Sequence, residues 1–428
     1  MESVYYSLNP WWEGRRFETG IRREFYLNKL KASLERKQIE VLIGSRRAGK
    51  TTLLRQFIRE LLDRPVDAKD IVYLALDHPS LAGTTLSEHI KAVRKLFSHD
   101  LGRRLFLFLD EVQESPSWET ELKALYDAND LKVFCSGSTS SLLQSQGGKL
   151  TGRQIVNRVD LLSFSEFVDF RGGRPSFSED YKFERLADEF LLHGGYPENA
   201  LHPSMEYLAN LIDDILSRDI MRLFPVRKPF LLKELLRLLA ASVGSRTSFN
   251  KLAGVLGVNL ETVKDYVAHL ESAFLVAPLE KWTNSWSDKV YAARKIYLLD
   301  NGVKTLITGP GDEGAKAEAA VFAELRRRGV PCGYFAESER EVDFVIGTTG
   351  APLPIEVKYL SSFDGDDRRY AGLKLFLKRF PKSNRAVVVT RAVDKEEKIG
   401  TTPVRCVPLW KFLLDADAYL ARQGSGQL

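Results

Sequence analysis

The first clear pattern along the chain is residues 39–43, IEVLI, a short continuous apolar run that predicts a buried strand. A glycine-rich stretch follows, and residues 50–62 then carry the apolar spacing of a helix. Residues 70–77 (DIVYLALD) and 104–110 (RLFLFLD) predict two more strands, with a helix over 87–98 between them. A helix over 118–129 and a strand over 131–138 (LKVFCSGS) continue the alternation. Strands that are apolar throughout suit a parallel sheet covered on both faces. Strand and helix in regular alternation predict a doubly wound α/β domain.

After about residue 165 the period becomes helical, as in SFSEFVDFRG, FERLADEFLLHGGYPENAL and EYLANLIDDILSRDIMRLF, and a helical lid is expected. Residues 230–279 give three more helices. Within them FNKLAGVLGVNLETVKDYVAHLES (249–272) reads as helix, Gly257-centred turn and helix. Leu252, Val255, Leu256, Val263, Val267 and Leu270 are its expected core, with Asn259, Glu261, Thr262, Lys264 and Asp265 exposed. Such a second helix can enter a DNA major groove, though phosphate repels Glu261 and Asp265; packing is the other use of the motif. Residues 289–300 look like a β wing carrying Lys289, Arg294 and Lys295. From about 312 the expected order is helix, two strands, helix, two strands. The helix over 366–385 has an apolar face of Tyr370, Leu373, Phe376, Leu377 and Phe380 and a basic face of Arg368, Arg369, Lys374, Lys378 and Arg379.

Length and composition narrow the class. At 428 residues the chain has room for two to four domains. Apolar content of 44% and charged content of 28% are ordinary for a soluble protein. No apolar run approaches the ~18 residues of a membrane span, and residues 1–14 lack the pattern of a secretory signal. Cys135, Cys332 and Cys406 are too few and too scattered for a disulfide framework or a zinc site, which fits a cytoplasmic protein. The net charge of +5 permits nucleic-acid binding without requiring it. Residues 14–37 are rich in Arg and Lys with aromatic residues interleaved; a helix packing on the core and a phosphate-binding surface are equally compatible with them.

The chemistry begins at Gly44-Ser45-Arg46-Arg47-Ala48-Gly49-Lys50-Thr51-Thr52, which contains G-x-x-x-x-G-K-[ST] between a strand and a helix. Its backbone N–H groups would wrap the phosphates of ATP, Lys50 would reach the β- and γ-phosphates, and Thr51 would take a Mg²⁺ position. Sixty residues on, a buried strand ends in Asp110-Glu111. Asp110 would join the metal shell, and Glu111 would polarise the attacking water. Ser136 or Ser138 could contact the γ-phosphate or simply cap a helix. Arg153, and more weakly Arg158, could serve as an arginine finger toward a neighbouring subunit or as structural ion pairs.

A second set lies near the C-terminus. In EVDFVIGTTGAPLPIEVKY (341–359) a period of two puts Val342, Phe344 and Ile346 on one face and Glu341 and Asp343 on the other. The same rule groups Glu356 with Lys358, opposite Ile355, Val357 and Tyr359. If the two strands pair in register, Asp343, Glu356 and Lys358 share a surface, and Glu318 on the helix over 314–329 can join them. Three carboxylates and a lysine are the parts needed to hold Mg²⁺ and position water for phosphodiester attack.

Taken in order, GSRRAGKTT, FLFLDEVQ, CSGSTSSLL, LTGR, LSFSEF and GGYPE resemble a large family of prokaryotic, archaeal and bacterial, AAA+-like ATPases. The resemblance covers nearly the whole chain. It implies a basic N-terminal segment over 1–37, a P-loop ATPase core over 38–165 and a helical lid over 166–235. It further implies a winged helix over 236–305 and an α/β domain like the PD-(D/E)XK nucleases over 306–428. It would start a lid helix near the nucleotide at Gly194-Gly195-Tyr196-Pro197. It would make Asp343 and Glu356 metal ligands, give Lys358 the orientation of the nucleophile, and have Glu318 complete the shell. Partners implied are DNA (duplex, fork or junction) and other copies of the chain, up to a hexameric ring. The expectation is a DNA-binding ATPase acting on branched or broken DNA. The residues leave open a nucleotide-dependent signalling or defence switch whose last domain binds a partner, and a DNA-binding regulator that is no motor.

Overall fold

The computed structural model describes residues 1–128, 130–137, 150–224, 226, 228–362 and 367–421. The chain divides into two compact units, Met1–Asp160 with Arg218–Leu223, and Leu161–Ser217 with Phe224–Leu428.

The first unit is built on five parallel strands, β1 (Ile39–Ile43), β2 (Ile71–Ala75), β3 (Leu105–Asp110), β4 (Leu131–Ser136) and β5 (Gln154–Arg158), in the spatial order β2-β3-β4-β1-β5. Its helices are α1 (Glu2–Leu8), α2 (Glu24–Ala32), α3 (Lys50–Leu62), α4 (Leu86–Leu96) and α5 (Trp118–Ala128). The four apolar strands and their helices fall where hydrophobic patterning predicts them. Phe57 of α3 packs on Phe134 of β4 with centroids 5.0 Å apart, and Phe134 stacks on Phe108 of β3. Strand β5 was not foreseen: QIVNR is an edge strand with no buried residue, so it lacks the apolar run that marks the others.

The N-terminal segment is part of this unit. Asn9 copies a strand partner for edge strand β2, donating to the Tyr73 carbonyl at 3.0 Å and accepting from the Tyr73 amide at 2.6 Å. The indole N–H groups of Trp11 and Trp12 both donate to the Ile71 carbonyl. These bonds blunt an edge that could otherwise pair with another chain. Of the basic residues in 14–37, Arg22 and Lys31 pair with Glu60, Arg36 pairs with Glu40, and Arg23 is buried.

The second unit opens with α6 (Phe164–Phe170), α7 (Asp180–His193), α8 (Pro197–Leu201) and α9 (Met205–Asp214). Next come α10 (Pro229–Ala241), β6 (Arg246–Thr247), α11 (Phe249–Leu256), α12 (Leu260–Ser272), β7 (Val276–Leu279), α13 (Trp286–Tyr291) and β8 (Arg294–Leu298), with an antiparallel sheet ordered β6-β8-β7. The expected wing is therefore modified. Residues 286–291 are helical, and Lys295 is buried on the central strand instead of facing solvent. Val255, expected in the core, is 62% exposed.

The rest comprises α14 (Asn301–Thr308), α15 (Glu313–Arg327), β9 (Cys332–Glu337), β10 (Arg340–Ile346), β11 (Leu353–Lys358), α16 (Ala371–Arg379), β12 (Ala386–Thr390), β13 (Lys395–Ile399), β14 (Thr402–Pro408), α17 (Leu409–Leu414) and α18 (Ala416–Leu420). Its six strands form a mixed sheet ordered β13-β14-β12-β11-β10-β9. Three strands, not two, precede α16 and three follow it. Leu373 and Phe376 of α16 pack on Val342 and Val345 of β10. A bulge between Val342 and Val345 breaks the alternation expected in β10. Phe344 consequently lies with Phe322 of α15 and Tyr297 of β8, not with Val342. Bulges re-aim side chains in this way, often next to functional sites.

Candidate functional sites

The loop between β1 and α3 is shaped by two glycines. Gly49 caps α3 with φ of 92°, a left-handed conformation that costs glycine nothing. A Cβ on Gly44 would lie 2.2 Å from the Val159 carbonyl oxygen, so strand β1 can leave the sheet here only as glycine. The loop therefore presents backbone N–H groups and the first turn of α3 at the carboxyl end of the sheet, an arrangement suited to phosphate. Lys50 Nζ folds onto the Gly44 and Ser45 carbonyls, at 3.0 Å each. Burial lowers the pKa of Lys50, while Glu111, Asp110 and Asp219 act to hold its charge.

Strand β4 lies between β1 and β3, so its end meets Asp110. The Ser136 hydroxyl donates to Asp110 Oδ1, and the Tyr73 hydroxyl donates to Oδ2 at 2.8 Å. Asp110 is 4% exposed and held at both oxygens. A carboxylate so oriented is the kind of hard oxygen donor that suits Mg²⁺. Glu111 takes a left-handed φ of 51°, and Gln113 Nε2 donates to its Oε2 at 2.6 Å. Burial raises the Glu111 pKa, opposed by Lys50. Ser138 lies outside the described residues.

Three contacts around the loop escaped the sequence. Arg46 makes a two-point ion pair with Asp219, at 3.0 and 2.6 Å. Arg23, 3% exposed, donates to the Ala48 and Asp160 carbonyls at 2.9 Å each, bracing the loop from the N-terminal segment. The Tyr26 hydroxyl accepts from the Asp160 amide at 2.9 Å. Arg46 lies inside the motif, and Arg23 and Tyr26 lie in the basic, aromatic stretch 14–37; their partners Asp219 and Asp160 carried no such signal.

The arginines at the ends of β5 separate. The parallel register pairs Ile39 with Gln154 and Ile43 with Arg158. Arg158 thus stands at the nucleotide edge, paired with Asp160 at 2.8 Å. Arg153 stands at the opposite edge, in an ion pair with Asp127 at 3.0 Å. Of the two, Arg158 is the one on the same edge of the sheet as the phosphate loop.

In the second unit, Asp300 caps α14 through Val303 N and accepts from Gly195 N at 2.7 Å, fixing the Gly194-Gly195-Tyr196-Pro197 turn that begins α8. Asp300 is buried, and burial raises its pKa to about 6.

The C-terminal polar residues do converge. Strands β10 and β11 are antiparallel with Phe344 opposite Ile355, a register that brings Asp343 opposite Glu356. Asp343 Oδ2 accepts from Val357 N at 2.9 Å. Glu356 Oε1 pairs with Lys358 at 2.5 Å, and its Oε2 is buried without a partner. Between Glu318 and Asp343 stands Lys295 Nζ, at 2.8 and 3.1 Å, and it pairs with Glu341 as well. Burial and the Asp343 charge push Glu318 to about 7 and Glu356 to about 8. Burial works against the charge on Lys295, but Asp343, Glu318 and Glu341 hold its pKa well above the usual lysine range. No group of three or more His, Cys, Asp or Glu among the described residues is arranged to hold a metal ion. Lys295 Nζ fills the gap between Glu318 and Asp343.

Residues 36–168 match the family described as an AAA domain. Residues 184–313 and 313–412 match two families described as domains of unknown function. The chain is similar to an uncharacterized protein of Methanocaldococcus jannaschii, 26% identical over 405 residues, 88% of each chain. An uncharacterized protein of Haemophilus influenzae is 24% identical over 350 residues, 79% of this chain and 87% of that one. Among solved structures, Drosophila ORC bound to GC-rich DNA and Cdc6 aligns with a TM-score of 0.23 and 12% identity, over 71% of this chain and 93% of that one. A DNA polymerase III gamma subunit-related protein of Thermotoga maritima aligns with a TM-score of 0.25 and 14% identity, over 58% and 99%. No helix among the described residues is long and apolar enough to cross a membrane.

Proposed function

We propose that this protein is an ATP-hydrolysing, DNA-binding machine that works as an oligomer on branched or broken DNA. The AAA-type domain over 36–168 supplies the nucleotide handling. In this reading Lys50 leaves the Gly44 and Ser45 carbonyls for the phosphates, and the Gly44–Thr52 backbone holds them. Thr51 and Asp110 hold Mg²⁺, which when bound neutralises charge on the β- and γ-phosphates. Ser136 and Tyr73 keep the Asp110 carboxylate oriented. Glu111 draws a proton from the attacking water, and Arg158, at the phosphate-loop edge of β5, serves as a finger within the same chain.

The observation that carries the DNA reading is the run α10-β6-α11-α12-β7-β8 with sheet order β6-β8-β7, an order that supports a winged helix. It leaves Lys251 and Lys264 exposed beside the turn at Gly257. Anisotropy titrations on labelled duplex, fork and four-way junction across salt test it. Binding should weaken linearly in log–log form as salt rises, because each phosphate contact releases condensed counterions. Absence of salt-dependent binding to all three substrates removes the DNA role and leaves the ATPase standing.

One observation favours a second reading. Glu261 and Asp265 are exposed on α12, and Glu261 neutralises Lys264 at 2.8 Å. A nucleotide-dependent signalling or defence switch, whose last domain holds a partner, would have that surface. Slow turnover indifferent to DNA is its signature. Cleavage at Asp343, Glu356 and Lys358 forms no part of the proposal, because Lys295 already pairs with Glu318, Glu341 and Asp343.

A further inference from the structure

The ammonium at the carboxylate centre is built in, not incidental. Lys295 is 1% exposed and sits on β8, the middle strand of its three-stranded sheet. It is registered with Arg246 of β6 on one side and Leu279 of β7 on the other, which fixes its backbone at the centre of the sheet. A lysine ammonium has three donors. Here each meets a different carboxylate, those of Glu318, Glu341 and Asp343.

The carboxylates are equally committed. Tyr297, also on β8, donates to the same Glu318 oxygen at 2.5 Å, and Arg246 takes the other oxygen of Glu341 at 3.1 Å. The second oxygen of Asp343 is held by the Val357 amide. The fit is close as well as charged. Gly244, in the turn before β6, has φ of +79°, and a Cβ there would lie 2.8 Å from Glu318 Oε2. A divalent ion at this point would have to evict a fully bonded, buried cation. Removing one partner of such a buried network leaves the rest uncompensated.

We propose that Lys295 is the resident cation of this centre: its ammonium takes the place of a divalent metal and ties the three-stranded sheet to the C-terminal α/β region as a metal-independent lock. The proposal deepens the reading of 306–428 as similar to the PD-(D/E)XK nucleases, and rests on that reading only for the choice of a divalent ion as the cation displaced. Whether DNA binds or ATP turns over does not bear on it.

The test uses the full chain without nucleotide, and Mn²⁺ as the probe, followed by electron paramagnetic resonance and by thermal shift. The wild type should show no Mn²⁺ site that Asp343→Asn or Glu356→Gln removes, and no Mn²⁺-dependent shift. Lys295→Met, a neutral side chain of similar length, should gain a Mn²⁺ site, and adding Asp343→Asn should abolish it. A wild-type Mn²⁺ site lost in Asp343→Asn overturns the proposal. So does a folded Lys295→Met protein that binds no Mn²⁺. Should Lys295→Met fail to fold, the wild-type titration decides alone: no site sensitive to Asp343→Asn supports the lock, and such a site refutes it.

Discussion

Gly44→Ala tests whether the phosphate loop is shaped by its contact with β5. The new Cβ would lie 2.2 Å from the Val159 carbonyl oxygen, where ordinary contact begins at 3.4 Å. The obstacle is backbone, so β5 must move by about the difference between those distances, on the order of 1 Å, as overpacked sites do. That movement stretches the bond from Val159 N to the Ile43 carbonyl, now 2.7 Å, beyond hydrogen-bond range. Overpacking costs about 1–3 kcal/mol and the lost bond about 1 more, giving roughly 2–4 kcal/mol. For a unit of this size each kcal/mol lowers Tm by about 2–4 °C, so a fall of roughly 4–16 °C is expected by calorimetry. Gly102→Ala is the control. Its Cβ meets nothing within 4 Å, and the change should stay within about 0.5 kcal/mol. A Gly44→Ala protein with unchanged Tm and unchanged ATP affinity would refute the reasoning.

Further outcomes follow from the same geometry. Glu111→Gln should retain ATP binding and lose about 10²–10⁴-fold in turnover, measured by phosphate release; a smaller loss denies Glu111 the role of base. Arg158→Ala should impair turnover more than Arg153→Ala, since Arg158 stands at the nucleotide edge of β5, and the reverse ranking would restore Arg153 as the finger. Asp300, raised to about 6 from 3.8 by burial, takes up its proton more readily folded than unfolded. Its ionisation therefore costs stability above about pH 6, and stability relative to Asp300→Asn should rise by roughly 3 kcal/mol as pH falls from about 6 to about 4. Denaturant melts of both proteins across that window check the sign; a flat difference would contradict it.

What the sequence made legible was local. IEVLI, the loop after it and LFLFLD announce themselves because a buried parallel strand is apolar along its whole length and phosphate chemistry fixes the residues beside it. The pairing of Asp343 with Glu356 was legible too, since period two and an antiparallel register leave little choice. What was not legible depends on distant partners. QIVNR gives no apolar run, because an edge strand needs none. Trp11, Trp12 and Asn9 look like a surface segment until β2 supplies the groups they bond. Asp219 joins the surroundings of the phosphate loop only by meeting Arg46, 173 residues earlier. Lys295 reads as a wing lysine by composition, and only tertiary packing puts three carboxylates around it. The bulge in β10 is invisible to a rule that assumes strict alternation.

The central claim is that nucleotide turnover in the AAA-type domain is coupled to DNA. Steady-state ATP hydrolysis, with and without four-way junction or duplex DNA at low salt, measures that coupling directly. Turnover should be Mg²⁺-dependent, stimulated several-fold by DNA and abolished by Lys50→Ala. Turnover lost in Lys50→Ala but unchanged by any DNA would contradict it.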